Sequence, residues 1–360
     1  LTVPIREARL FEFRLPLSRP WRFAQRCIEF RAGWLVCLTD AAGNRGWGEA
    51  TPFPELGTER LAAAHGWIQG VCDRLPGRRP AQALQDLPAA GACPPAARCG
   101  VETALLDLAA IQAGTSLAEY LVPGCAGTIQ VNAFAGPLLD TRATDLLEAA
   151  AAGFRCVKLK AGQGDPEMER RHLEVLVPTV PAEMQVRLDA NRSWTGSQAR
   201  RFVAGLPSPP LTLLEEPLGD ATLDQLAALR RLSPVPLAMD EGLTHTNLEA
   251  VLAAAPVDVL ILKPMRLGGL LPCLQIQQRA VAAGMQALVT STLDGATGIW
   301  AAVHLAAAMD ADGIARFHGL ATSTWLARDL GAAPEVRNGC IALPGTPGLG
   351  IAPHLLEAHP

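Results

Sequence analysis

Lysine is the scarce charge of this 360-residue chain. Lys and Arg together number 31, and taking away Lys158, Lys160 and Lys263 leaves 28 arginines. No basic run occurs and the formal net charge is −4, which argues against nucleic acid or an anionic membrane as the main partner. The nine cysteines are an odd number, scattered, and never spaced CxxC, so a disulfide framework or a zinc site is not expected. Free thiols in a reducing cytoplasm fit better. Long apolar runs are missing too: "GIWAAVHLAAAM" is too short to span a bilayer. The N-terminal "LTVPIREARL" carries charge too early for a signal peptide.

Arginine holds an anion but cannot release its proton near neutral pH. Lysine can, once burial or a neighbouring cation lowers its pKa. Codon usage explains three leftover lysines as readily as chemistry does, so their surroundings decide.

The first hundred residues read as α+β. "REARLFEFRLPL" and "GWLVCLTDAAGNRGWGEA" contain short strands, the second pair joined by a turn at "DAAGN". Helical patterns run from about Glu59 to Leu75 and from Ala97 to Gly114, with a Pro/Gly/Ala-rich connector between them. From about Thr128 short apolar runs alternate with amphipathic stretches: "IQVNAFA", "CVKLK", "QVRLD", "LTLLE", "PLAMD", "DVLILK", "QALVTS" and "GIARFHG". Such alternation predicts an α/β chain with a (β/α)8-type barrel.

Chemical groups end these runs. Lys160 ends the second, Asp189 the third, Glu215 the fourth, Asp240 the fifth and Lys263 the sixth. The steps from Asp189 to Glu215, to Asp240 and to Lys263 are 26, 25 and 23 residues, each one strand-plus-helix unit. Strand ends of a barrel converge on one mouth, where such folds place active sites. One such acid alone would read as a helix cap or a surface pair. Three in register supply hard oxygen ligands suited to Mg2+, with Mn2+ as a substitute. Lys158, two residues before Lys160, points to the same side of its strand. A free lysine titrates near 10.4, and general-base work asks for roughly 7 to 8. A site of this kind suits removal of the proton next to a substrate carboxylate, with Mg2+ and the lysines stabilising the enediolate.

The pieces "VKLK", "RLDANRSW", "LLEEPL", "AMDEGL", "ILKPMRLGG" and "TSTLDGATGIWAAVHLAAAM", with "GWGEATPFPELGTE" and "VETALLDLAAIQAG" nearer the front, resemble the enolase superfamily in its muconate-lactonizing-enzyme subgroup. The resemblance spans most of the chain. It implies an N-terminal α+β capping domain over 1–125, a barrel over 126–325, and a segment 326–360 returning to the cap. It also implies a loop, "SRPWRFAQRCIEF", closing over the substrate. In "LEEP" the ligand matches Glu215, and Glu216 is a supporting or structural group.

The subgroup's reactions include o-succinylbenzoate synthesis, N-succinylamino acid racemisation, dipeptide epimerisation and muconate cycloisomerisation. Dipeptide epimerases hold their substrate's ammonium with an Asp-x-Asp on the eighth strand, and "GIARFHGL" has no such pair. The segments "RLPLSRPWRF", "GWGEATPFPELGTE" and "LILKPMRLGG" are similar to those of the o-succinylbenzoate synthases of menaquinone biosynthesis. That likeness implies Lys160 as the base and Lys263 as the opposing cation, which stabilises the enediolate and the substrate ring. Backbone N–H groups of "TSTLDGATG" are candidates to hold a substrate carboxylate. Ser291, Thr292 and Asp294 there are pocket residues or caps. Asn191 is a supporting group, Arg192 a supporting or loop charge, and His304 a core residue. The expected partner is a small-molecule carboxylate, and a homo-oligomer stays open. The alternative outside this class is a barrel that only binds a ligand.

Overall fold

A computed structural model describes residues 3–23, 26–207 and 209–354. Strands β1 (Ile5–Phe23), β2 (Arg26–Asp40) and β3 (Arg45–Ala50) form an antiparallel sheet in that order. Side chains alternate along β2, so Val36 and Leu38 join a core with Ile68, Leu105 and Leu108, while Leu35 and Cys37 pack with Phe13, Leu15 and Leu326. The first two strands are longer than the short ones expected. Residues 18–30, expected as a closing loop, are largely the paired end of this hairpin, with Trp21 opposite Ile28. The tip of that stretch, Ala24 and Gln25, lies outside the described residues.

Helix Pro95–Ala113 is buried all round, as a helix between two layers must be. It lies against β3 because Gly48 has no side chain. A Cβ there would stand 1.9 Å from the Gly100 carbonyl oxygen, so "GWG" is a close-approach site. The connector before the helix contains a short helix of its own, Pro80–Gln85.

Strands β4 (Thr128–Val131) and β5 (Ala133–Pro137) come from one apolar run, split at Asn132. Then follow β6 (Cys156–Lys160), β7 (Gln185–Asp189), β8 (Leu211–Glu215), β9 (Leu237–Met239), β10 (Val259–Leu262) and β11 (Gln286–Val289). From β5 to β11 they make a seven-stranded sheet in chain order, every pairing parallel. The eighth run is reduced to β12 (Phe317–His318). It meets β11 through a Thr290–Gly319 bridge and pairs parallel with β4, which carries the ring back to its start. The last strand, β13 (Cys340–Ala342), adds antiparallel to β4. This is a (β/α)8-type barrel with an N-terminal α+β domain.

Parity then places the chemistry. Leu213, Ala238, Val259, Ile261 and Leu288 form the apolar plug inside the barrel. Two residues beyond Leu213, Ala238 and Ile261 on the same inward face come Glu215, Asp240 and Lys263. All nine cysteines are free. Among the described residues no helix is long and apolar enough to cross a membrane.

Candidate active site

The three acids are sealed, with Asp189, Glu215 and Asp240 only 1%, 3% and 3% exposed. Burying carboxylates is unfavourable unless cations meet them, and each has one. Lys158 Nζ lies 2.7–2.8 Å from both Glu215 oxygens and 2.8 Å from Asp189 Oδ2. Lys160 Nζ lies 2.7 Å from Asp189 Oδ2 and 2.5 Å from Asn191 Oδ1. Lys263 pairs with Asp240 Oδ2, and Arg266 Nη1 stands 2.9 Å from Asp240 Oδ1. The lysine side chains keep 13–21% exposure, so they face the mouth from a closed floor of acid.

Burial works to lower the Lys158 pKa, but the charges of Asp189 and Glu215 outweigh it and hold the ammonium above its usual range. Burial also opposes ionisation of Asp189 and Asp240. Lys158 with Lys160, and Lys263 with Arg266, overcome this and keep both carboxyls below their usual range. Glu215 goes the other way, raised by burial and by the charges of Asp189 and Asp240.

The turn after β7 brings Asn191 back over Lys160. Asn191 and Arg192 adopt left-handed backbone, φ 42° and 64°, a conformation that asparagine tolerates. Asn191 Nδ2 donates to Glu241 Oε1 at 3.0 Å, and Glu241 Oε2 is buried without a hydrogen-bond partner. Glu216 accepts from the Asp240 and Gly242 N–H groups at 2.6 and 2.7 Å, while Arg192 pairs with Asp220 at 2.5 Å. Among the described residues no three His, Cys, Asp or Glu side chains stand together as a metal-ligand group. The ammonium groups lie between the carboxylates instead. Even so, Asp189, Glu215, Glu216, Asp240 and Glu241 outnumber Lys158, Lys160, Lys263 and Arg266. That excess of hard oxygen, with one buried oxygen unpartnered, fits a divalent cation such as Mg2+.

In the loop after β11, several of the N–H groups expected to cradle a substrate carboxylate already have partners in the protein. The Gly295 and Gly298 N–H groups donate to Glu49 at 2.7 and 2.9 Å, and Ala296 N–H donates to Asp329 at 2.8 Å. The helix Ala296–Met309 starts at Gly295, which has no side chain to cap it, so other segments supply the carboxylates. Thr292 and Asp294 are buried and hydrogen-bonded to each other, and Ser291 Oγ meets Thr322 Oγ1 at 2.8 Å. Arg31 binds the carbonyls of Thr51, Pro52 and Leu293, tying the N-terminal domain to this loop. His304 is fully buried, taking the Ala118 N–H at 3.1 Å, and burial lowers its pKa to about 4.

Sequence reasoning did not single out Glu49, Arg31, Glu241 or Arg266. Arg266 was findable, one helical turn after Lys263 in "KPMR". The others act on distant segments and leave no local pattern.

Glu49 carries a pH dependence. Burial first, then the charge of Asp294, raises its pKa to about 7, while Thr51 and the Gly298 and Gly295 N–H groups pull the other way. A carboxyl raised in the folded state binds its proton more tightly there. Its contribution is full below the unfolded value near 4.5 and is lost as pH rises through about 7. The loss is on the order of 3 kcal/mol. Urea unfolding should therefore show wild-type stability falling between pH 5 and 8 more steeply than that of Glu49→Gln. Equal slopes would remove Glu49 from the account.

With the geometry in view, the relatives can be placed. The "Enolase C-terminal domain-like" family model matches residues 142–357, and the chain belongs to the enolase superfamily. Residues 5–107 match the "MenC, N-terminal domain" model. The o-succinylbenzoate synthase of Proteus mirabilis (strain HI4320) is 28% identical over 305 residues, 82% of this chain and 84% of its own. The L-Lys-D/L-Arg epimerase of Methylococcus capsulatus is 31% identical over 353 residues, 93% and 95% of the two chains. A solved dipeptide epimerase from Methylococcus capsulatus, complexed with Mg and the dipeptide L-Arg-D-Lys, superposes with a TM-score of 0.83 at 29% identity. That match covers 97% of this chain and 99% of the other.

Proposed function

We propose that the protein is a Mg2+-dependent lyase that dehydrates the cyclohexadiene precursor of o-succinylbenzoate. The observation that carries this reading is the end of the eighth strand. After His318 come Gly319, Leu320, Ala321, Thr322 and Ser323, with no acid to hold a dipeptide's ammonium. Instead Trp325 lies beside Phe134 with ring centres 5.3 Å apart and planes inclined by 58°, and Trp21 meets Trp325 edge-on at 6.4 Å. A cluster of rings suits the unsaturated ring of such a carboxylate substrate better than the ammonium end of a dipeptide.

Asp189, Glu215 and Asp240 would hold the Mg2+, which supplies positive charge to the substrate carboxylate as its α-carbon becomes negative. Lys160 takes the proton from that carbon and returns it to the departing hydroxyl on the same face. Lys263, on the far side, stays positive and stabilises the enediolate. Asn191 orients the Lys160 amine.

A second reading, dipeptide epimerisation, is favoured by the 31% identity to the Methylococcus capsulatus epimerase across 93% of this chain. Both readings are tested by following o-succinylbenzoate formation by ultraviolet absorbance, with and without Mg2+, beside a panel of dipeptides. The synthase reading expects dehydration to have the higher kcat/KM, and a dipeptide ranking first would overturn it. Calorimetry on Asp240→Asn checks the metal: affinity for Mg2+ should fall by roughly tenfold or more.

A further inference from the structure

The two halves of the candidate site are supported differently. The turn after Lys160 is held by its own helix: Glu169, in helix Pro166–Leu176, accepts from the Gly162, Gln163 and Gly164 N–H groups at 2.8, 3.0 and 3.2 Å. The turn after Lys263 is closed by its own backbone, the Gly268 and Gly269 N–H groups both donating to the Pro264 carbonyl at 2.9 Å, but no side chain of the following helix caps it. Lys263 accepts at its carbonyl from the Arg266 and Leu267 N–H groups, opening the short helix Pro264–Leu267, and the chain then turns at Gly268 and Gly269. The next helix, Leu270–Ala282, begins at Gly269, which has no side chain for a cap. The missing cap arrives from the N-terminal domain. Glu102 Oε2 accepts the Leu271 N–H at 3.1 Å. Arg98 Nη1 donates to Glu102 Oε1 at 2.7 Å and to the Gly268 carbonyl at 2.5 Å, and Arg98 Nε reaches the Pro88 carbonyl at 2.7 Å.

The fit admits no side chain. A Cβ at Gly269, whose φ is +134°, would lie 2.1 Å from the Glu102 carboxylate. Glu102 is fully buried and Arg98 only 7% exposed, so the pair is shielded from the solvent that would weaken it. A buried ion pair adds little to stability when compared with apolar packing, and fixing one arrangement is its better-supported use. What this pair fixes is the turn whose first residue is Lys263.

We propose that Arg98 and Glu102 are positioning residues for Lys263: the N-terminal domain sets the far-side lysine by clamping the Gly268–Gly269 turn, while Lys160 is set by the barrel alone. Neither residue touches the reacting atoms. The proposal rests on the catalytic role given above to Lys263, but its structural half can be tested without substrate.

The scarcity of lysine supplies the probe. Only Lys158, Lys160 and Lys263 carry side-chain amines, so a small amine-acylating reagent read by peptide mass spectrometry reports the site directly. In Glu102→Gln, labelling of Lys263 relative to Lys160 should change by about threefold or more, and amide exchange should quicken over residues 265–271 but not 161–164. Arg98→Gln should do the same, and serves if Glu102→Gln fails to fold. On whichever substrate the wild type turns over, kcat should fall roughly 10- to 100-fold with KM nearly unchanged, the signature of a displaced group that acts in the transition state. Unchanged labelling and exchange in folded variants would overturn the clamp. Loosened exchange with an unchanged kcat would overturn its bearing on Lys263. A wild type that turns over only dipeptides sinks the synthase reading and leaves the clamp standing on the same comparison.

Discussion

Lys160→Arg should fold, bind Mg2+ and lose at least about 10²-fold in turnover, the low end for a general base. The chain uses arginine at 28 of its 31 basic positions, so a guanidinium is otherwise well accepted. At 160 it would keep the charge that faces Asp189 and could still donate to Asn191, both partners of the native amine. It could not accept a proton from carbon. The variant thus separates holding an anion from moving a proton. Thermal unfolding and calorimetry should stay close to wild type while turnover collapses. Near-normal turnover in a folded, metal-bound Lys160→Arg would show that some other group is the base.

The site's acids and lysines are legible in the chain because a parallel barrel turns sequence spacing into geometry. Strands such as "LTLLE" and "DVLILK" are apolar on both faces, so it is the charged residue ending each run, and those two and four places before it, that mark the inward face leading to the mouth. Asp189 and Glu215 are register partners on adjacent strands, as the 26-residue step between them implies. The same reasoning misses what comes from elsewhere. Glu49 caps a helix that begins at Gly295, and Glu102 one that begins at Gly269. Neither glycine looks like a helix start by the usual side-chain signals, and nothing local to Glu49 or Glu102 says which helix it serves. The Gly295 and Gly298 N–H groups of "TSTLDGATG" read as free for the same reason: Glu49, which accepts from both, lies 246 and 249 residues earlier in the chain. The closing loop over "SRPWRFAQRCIEF" is what the resemblance implies, and the proline of "SRPWRF" is tolerated in the hairpin because it sits where the strand departs from regular pairing. Here the register shifts between Pro16 and Trp21.

Replacing the other lysine separates dehydration from racemisation. Both reactions need a carboxylate at the acid cluster and a proton removed by Lys160. They differ in what Lys263 must do. A transfer that inverts the α-carbon needs Lys263 to deliver a proton to the far face, so it must titrate. In syn dehydration the hydroxyl leaves on the side of Lys160, and Lys263 needs only its charge. Arginine supplies that charge, and Asp240, which already accepts from Arg266 at 2.9 Å, is a suitable partner for a second guanidinium. Lys263→Arg should therefore retain more dehydration activity than Lys160→Arg, while any racemisation of N-succinylamino acids vanishes in both. The bulkier group is displaced within a tightly held turn and lowers the rate for that reason alone, so the comparison belongs between the two variants on one substrate. Should Lys263→Arg lose dehydration as completely as Lys160→Arg, with fold and Mg2+ affinity intact, Lys263 transfers a proton in the dehydration too and the one-face mechanism is wrong. Racemisation surviving in either variant would instead break the assignment of two opposed lysines.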